Sequence, residues 1–164
     1  MGKKKPVLLF FGLMLSLAIA LFSCATSPKI PVGGAEEIPF PKDVNIIPPT
    51  SDLPKEIAAF SGKWHGVWRE GGGGFEFILV VEEITNQEAK VIYAWGDSYG
   101  SWKGKKGFYR IVAKVSPGGP EIEFSSARDS SATFFFKMKK DLNTLEVFRQ
   151  ASYGRLYTIM NRMK

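Results

Sequence analysis

The chain has 164 residues, 22 Lys plus Arg against 16 Asp plus Glu, a formal charge of +6, one histidine and one cysteine. A lone histidine excludes a multi-histidine metal site, and a lone cysteine excludes any internal disulfide. Three of the positive charges, Lys3, Lys4 and Lys5, precede an apolar run over 7–22 that ends at Ser23-Cys24. A positive n-region, an apolar h-region and a small residue before the cut form the pattern of a secretory signal. The run is shorter than the roughly 20 apolar residues that cross a bilayer.

Leu21-Phe22-Ser23-Cys24 resembles the lipobox of bacterial lipoproteins, with Phe22 bulkier than the residue usual at its position. The resemblance implies cleavage after residue 23 and acylation of Cys24, with the protein held at a membrane by its lipid. Several acyl chains make such an anchor effectively permanent, since each buried methylene contributes about 0.8 kcal/mol. Ala25, rather than Asp, resembles the outer-membrane sorting signal of bacteria with two membranes, which implies a place in the cell envelope facing the periplasm. Loss of the three lysines with the signal takes the formal charge from +6 to +3. That is too small an electrostatic footprint for nucleic acid to be an expected partner.

Residues 24–52 are expected to form a linker: seven of the ten prolines lie between Pro28 and Pro54, with Gly33 and Gly34 among them. Proline removes donors and holds extended geometry, which makes a semi-rigid spacer, although Ile46 and Ile47 could lie against a folded neighbour. A short helix is expected over 53–60, with Pro54 in its first turn and Gly62 beyond its end. The folded domain is placed at 53–164.

From residue 63 the pattern becomes short runs with period-two alternation. Trp64, Gly66 and Trp68 share one face of a strand over 63–70, with His65 on the other. Gly71 to Gly74 form a flexible hairpin, after which Phe75, Phe77, Leu79 and Val81 share a face. Val91, Tyr93 and Trp95 alternate over 90–96, and further runs occupy 108–115, 121–125, 132–138, 145–149 and 156–161. Eight strands joined by short turns pair as antiparallel hairpins, and closure into an up-and-down barrel removes both sheet edges. The fold class is therefore all-β, an eight-stranded antiparallel barrel, with a two-sheet β-sandwich as the alternative.

Gly62-Lys63-Trp64, preceded by a helical turn and opening the first strand, resembles the Gly-x-Trp signature of the calycin superfamily of lipocalins and avidins. The resemblance implies that Trp64 plugs one end of the barrel while the other opens onto a ligand. The Thr-Asp-Tyr motif of typical lipocalins is missing, so neither family's ligand carries over.

On the barrel reading, Trp68, Phe77, Tyr93, Trp95 and Phe134 converge inside and are the candidate lining of a site for a small apolar or amphipathic molecule. Ordinary core packing explains the same five residues, because eight strands can be filled by their own side chains. Past residue 95 the aromatics continue into a glycine-rich loop, where Asp97, Tyr99 and Trp102 are candidates for the lip of a site. Packing back as a lid is the structural reading of the same aromatics, and gripping envelope glycan or a protein partner is a further one. Basic clusters at Lys103, Lys105, Lys106 and Arg110, and at Lys137, Lys139 and Lys140, suit a solvated face or a site for anionic lipid or glycan.

Catalysis is not expected, and no cofactor is. Gly-x-Ser-x-Gly does not occur, and Gly71 to Gly74 lack the lysine and serine of a phosphate loop. Glu82 and Glu83 face opposite ways on a strand, and Glu121 and Glu123 suit a solvated face better than a glycosidase pair.

Overall fold

Alternation of large apolar and polar side chains over successive short runs produces extended chain with one wet face. The computed structural model describes residues 38–164; the expected signal, Cys24 and the first part of the expected linker lie outside the described residues. A single helical turn, α1 (Lys55–Ala58), precedes eight strands. These are β1 (Gly62–Glu70), β2 (Gly73–Ile84), β3 (Glu88–Trp95), β4 (Gly107–Val115), β5 (Glu121–Ser125), β6 (Thr133–Met138), β7 (Thr144–Ala151) and β8 (Gly154–Arg162).

Each strand pairs antiparallel with the next, and the sheet closes where Trp64, His65 and Gly66 of β1 pair with Arg162, Asn161 and Met160 of β8. Closure rules out the sandwich. Residues of one parity on every strand point inward and form one continuous apolar core, in which Trp64, Phe60, Phe77, Leu79, Ile122, Phe136, Leu145 and Met160 are fully buried. Each such side chain contributes on the order of 1.5–3 kcal/mol by leaving water. Gly66 is part of this packing: a Cβ there would stand 2.8 Å from both Met160 Cγ and Phe77 Cε1.

Helix α1 is shorter than the 53–60 expected. Pro54 is extended at ψ 137° and caps the helix rather than entering its first turn. After Ala58 the backbone tightens to three-residue steps, Phe60 N–H to Ile57 O and Ser61 N–H to Ala58 O, as the chain turns into β1.

The later part of the proline-rich stretch is a strap on the outside of the barrel rather than a free spacer. Ile38, Val44 and Ile46 cover Ile78, Val80 and Ile92, outward-facing apolar residues of β2 and β3. A bulge between Val81 and Glu83 frees the carbonyl of Glu82, which accepts the Ile47 N–H at 2.7 Å. Bulges leave one residue outside the ladder, and here the strap satisfies it. Arg110 then fastens the strap, donating to both carboxylate oxygens of Asp43 at 3.0 and 3.1 Å and to Glu82 at 3.1 Å. Ile46 packs inward as its sequence allowed, whereas the side chain of Ile47 is exposed.

Candidate functional site

The two ends of the barrel differ. At the end where β1 begins, α1 and the fully buried Trp64 form a plug. Trp64 Nε1 donates to Phe60 O at 2.8 Å, and the Arg162 guanidinium lies 4.2 Å from the centre of the indole ring. Arg162 also donates to Ser61 O at 2.9 Å and to Ala59 O, tying the last strand to the turn before the first. Burial lowers the Arg162 pKa from its usual value. Sequence reading found Trp64 and missed Arg162, whose inward position on β8 follows from the parity of Leu156, Thr158 and Met160.

The opposite end is bounded by the β1–β2, β3–β4, β5–β6 and β7–β8 turns and opens into a cavity of about 500 Å³. Its walls are aromatic: Trp68, Phe75, Tyr93, Trp95, Tyr109 and Phe134. Tyr93 is the hub, with its ring centre 4.9 Å from that of Phe134, 5.5 Å from Phe77, 5.7 Å from Tyr109 and 5.9 Å from Trp95. Its hydroxyl accepts the Trp68 Nε1–H at 3.0 Å. Burial pushes the Tyr93 pKa far upward and that of Tyr109 upward as well, so both are neutral phenols in physiological conditions.

Tyr109 carries the one buried side-chain polar atom among the described residues without a hydrogen-bond partner. Ser126 and the Ala127 backbone lie beside its hydroxyl without completing a bond of ordinary geometry. An unmatched buried hydroxyl costs about 1–3 kcal/mol, and this one stands in the cavity wall.

The rim is polar. Arg128 lies 5.0 Å over the Trp95 ring, and Trp95 Nε1 donates to Lys105 O at 2.7 Å. Arg149, pointing inward near the end of β7, donates to Asp129 at 2.8 Å and to the Tyr153 hydroxyl, which itself donates to Asp129 at 3.1 Å. Asp129 is held below its ordinary pKa, first by the Ser131 hydroxyl and also by Tyr153 and Arg149.

Of the five residues expected inside, Trp68, Tyr93, Trp95 and Phe134 line the cavity. Phe77 is fully buried and backs Trp68 in a stack at 5.1 Å, so it supports the wall without reaching the space. Of the three lip residues, Trp102 lines the cavity and packs on Phe75 at 5.4 Å. Asp97 shapes the β3–β4 loop by accepting the Lys106 N–H at 2.9 Å. Tyr99 forms a two-way backbone bridge with Gly74 and leaves its side chain partly exposed. Gly100 permits that return, with φ +68° and no room for a Cβ, which would stand 2.1 Å from Gly72 O.

Tyr109, in phase with Ile111, Ala113 and Val115, could have been found by the alternation used for the other strands. Arg128 and Asp129 could not, because they come from a turn.

His65 lies on the outer face, half-exposed, 3.2 Å from Glu76 Oε2. Glu82 and Glu83 are paired with Arg110 and Lys90 on the outside. No group of three or more potential metal ligands occurs among the described residues.

No family model and no curated protein matches the chain. Among solved structures the chain is similar to a de novo designed fluorescence-activating β-barrel, with a TM-score of 0.50, 20% identity, and coverage of 68% of this chain and 100% of the design. The likeness is one of fold. It places the domain with small eight-stranded antiparallel barrels, which is the architecture that the calycin resemblance implied.

Proposed function

We propose that the protein is a non-catalytic, lipid-anchored binding protein of the cell envelope, whose barrel takes a small apolar or amphipathic molecule into the cavity opposite Trp64. The observation that carries this reading is the space of about 500 Å³ at the mouth, walled by the aromatic faces of Trp68, Tyr93, Trp95, Tyr109 and Phe134. A volume of that size is typical of small-molecule sites, which combine apolar walls with a few placed polar groups. A ligand with an aromatic or flat aliphatic body would cover the rings, with its polar end toward Arg128 and Asp129 at the rim. The anchor belongs to the same proposal: it rests on Lys3 to Lys5, the apolar run and Cys24, with Ala25 favouring the outer membrane and its periplasmic side.

Native mass spectrometry of the protein purified from its own host tests both halves. The expected spectrum carries the mass of acyl chains on a chain beginning at Cys24, together with a releasable small molecule. Titration with an environment-sensitive apolar dye gives saturable binding at one site, and Trp95→Ala weakens it about tenfold or more by removing one wall. Dye binding that is unaffected by Trp95→Ala would place the site elsewhere and refute the cavity reading.

A further inference from the structure

The strap gives the barrel a direction. Ile38 lies beside Gly96, which follows β3 at the open end: its Cγ1 is 3.7 Å from where a Cβ on that glycine would stand. Ile47 bonds to Glu82 near the far end of β2, and the chain then enters α1 and the plug. The described chain thus starts beside the mouth and runs down the outside of the barrel before the first strand starts. On the lipid-anchor reading, the acylated Cys24 precedes in sequence the segment that begins at the mouth.

The surface is polarised in the same sense. Among the described residues, the exposed aromatics Tyr99 and Tyr153 stand in the mouth turns and Phe108 and Tyr157 in the mouth-side halves of β4 and β8, and Tyr153, at 71% exposure, is the most open. Of the exposed aliphatics, Ile47 and Met163 lie at the plug end, and Val112 and Ile159 stand mid-strand in β4 and β8. Charge follows. Around the mouth Arg69, Lys103, Lys105, Lys106, Arg128, Arg149 and Arg155 outnumber Glu70, Asp97 and Asp129, whereas acids and bases balance over the remaining described residues. Tyrosines and tryptophans favour the headgroup level of a bilayer, and lysines and arginines are drawn to an anionic leaflet.

We propose that the mouth of the barrel is a membrane-facing surface: its rim of exposed tyrosines and basic loop residues docks on an anionic phospholipid bilayer, so that the cavity opens toward the lipid rather than toward the aqueous compartment. The strap, the aromatics and the charge are independent features, and they agree. Only the argument from the strap uses the anchor. The ligand reading is separate, since a barrel with an empty cavity could dock in the same way. With the mouth on the bilayer, an amphipathic ligand would move between membrane and cavity without crossing water.

The experiment uses the full acylated chain in vesicles, with an environment-sensitive fluorophore on a single introduced cysteine. Ser152→Cys puts the label in the β7–β8 turn at the mouth, and Gly118→Cys puts it in the β4–β5 turn at the plug end, where a Cβ meets nothing within 4 Å. On vesicles of phosphatidylcholine with phosphatidylglycerol, the label at 152 is expected to shift to the blue and brighten severalfold, while that at 118 stays as in detergent. Adding Lys103→Gln and Lys105→Gln lowers the affinity of the rim for the surface on the order of tenfold and reduces the signal at 152.

An unresponsive label at 152, a larger response at 118, or an equal response on pure phosphatidylcholine overturns the proposal. The unsubstituted chain, labelled in parallel, takes up fluorophore only if Cys24 is not acylated, so a failed anchor is seen separately. In that case the rim must still respond in a Cys24→Ser background, and silence there overturns the proposal too.

Discussion

Tyr93 and Tyr109 stack at 5.7 Å in the same wall, yet replacing each by phenylalanine is expected to move stability in opposite directions. In Tyr93→Phe the ring stays and the acceptor of the Trp68 indole proton goes; Trp68 is only 1% exposed, so water cannot replace it. Stranding a buried donor costs about 1–3 kcal/mol. In Tyr109→Phe the hydroxyl removed has no partner, so its desolvation cost disappears and the barrel gains on the order of 1 kcal/mol. Urea unfolding followed by tryptophan emission separates the two. With a slope of about 1–3 kcal/mol per molar urea, Tyr93→Phe lowers the midpoint by roughly 1 M and Tyr109→Phe raises it by about half that. The slope itself should stay constant, since neither change alters the area exposed on unfolding. Equal destabilisation by both would mean that Tyr109 is hydrogen-bonded, to Ser126 or the Ala127 backbone, and would refute the reasoning from an unmatched hydroxyl.

Gly66→Ala drives a methyl to within 2.8 Å of Met160 and Phe77 on facing strands, and overpacking of this kind costs about 1–3 kcal/mol, measurable as a lowered urea midpoint. Acid should loosen the strap. The Arg110 hydrogen bonds hold the Asp43 pKa below its ordinary value, so this fastening is complete above about pH 4 and is lost as pH falls through the depressed folded value. Hydrogen exchange at Ile47 N–H, whose bond to Glu82 O closes the strap, is expected to lose protection there ahead of the barrel amides. Arg110→Ala should produce the same loss at neutral pH.

The barrel was legible because its signal is simple. Side chains alternate on extended chain, and inward positions such as Val91, Tyr93 and Trp95 had to be apolar while their neighbours did not. The strap was less legible for an equally physical reason. A proline-rich segment has few backbone donors to offer a sheet, and its composition matches that of a free spacer. What holds it down is a long-range set of contacts: outward-facing Ile78, Val80 and Ile92, the bulge carbonyl of Glu82, and Arg110 67 residues away in sequence from Asp43. Ile78, Val80 and Ile92 break the polar alternation of their strands. That departure was the available sign that something covers β2 and β3.

The site divides along the same line. Strand residues at the mouth, Trp68, Tyr93, Trp95 and Phe134, followed from parity, because the geometry that makes a strand also fixes which way its side chains point. Parity alone could not tell a wall from a core: Phe77 and Trp68 share a face across paired strands and are both buried, and only depth along the barrel brings Trp68 to the cavity and leaves Phe77 behind it. The polar groups that could discriminate between ligands, Arg128 and Asp129, sit in a turn where periodicity has ended, and Arg149 is a charge on an inward parity. An inward arginine is stable there because Asp129 and Tyr153 meet it at the rim, where water still screens the group. Deeper in the same strand the inward positions are Val147 and Leu145, both fully buried, and the same charge would have no such partners. Along β7 the charge therefore sits at the end where the cavity opens, while at the plug end Arg162 of β8 is held inward by the Trp64 ring and the Ser61 carbonyl.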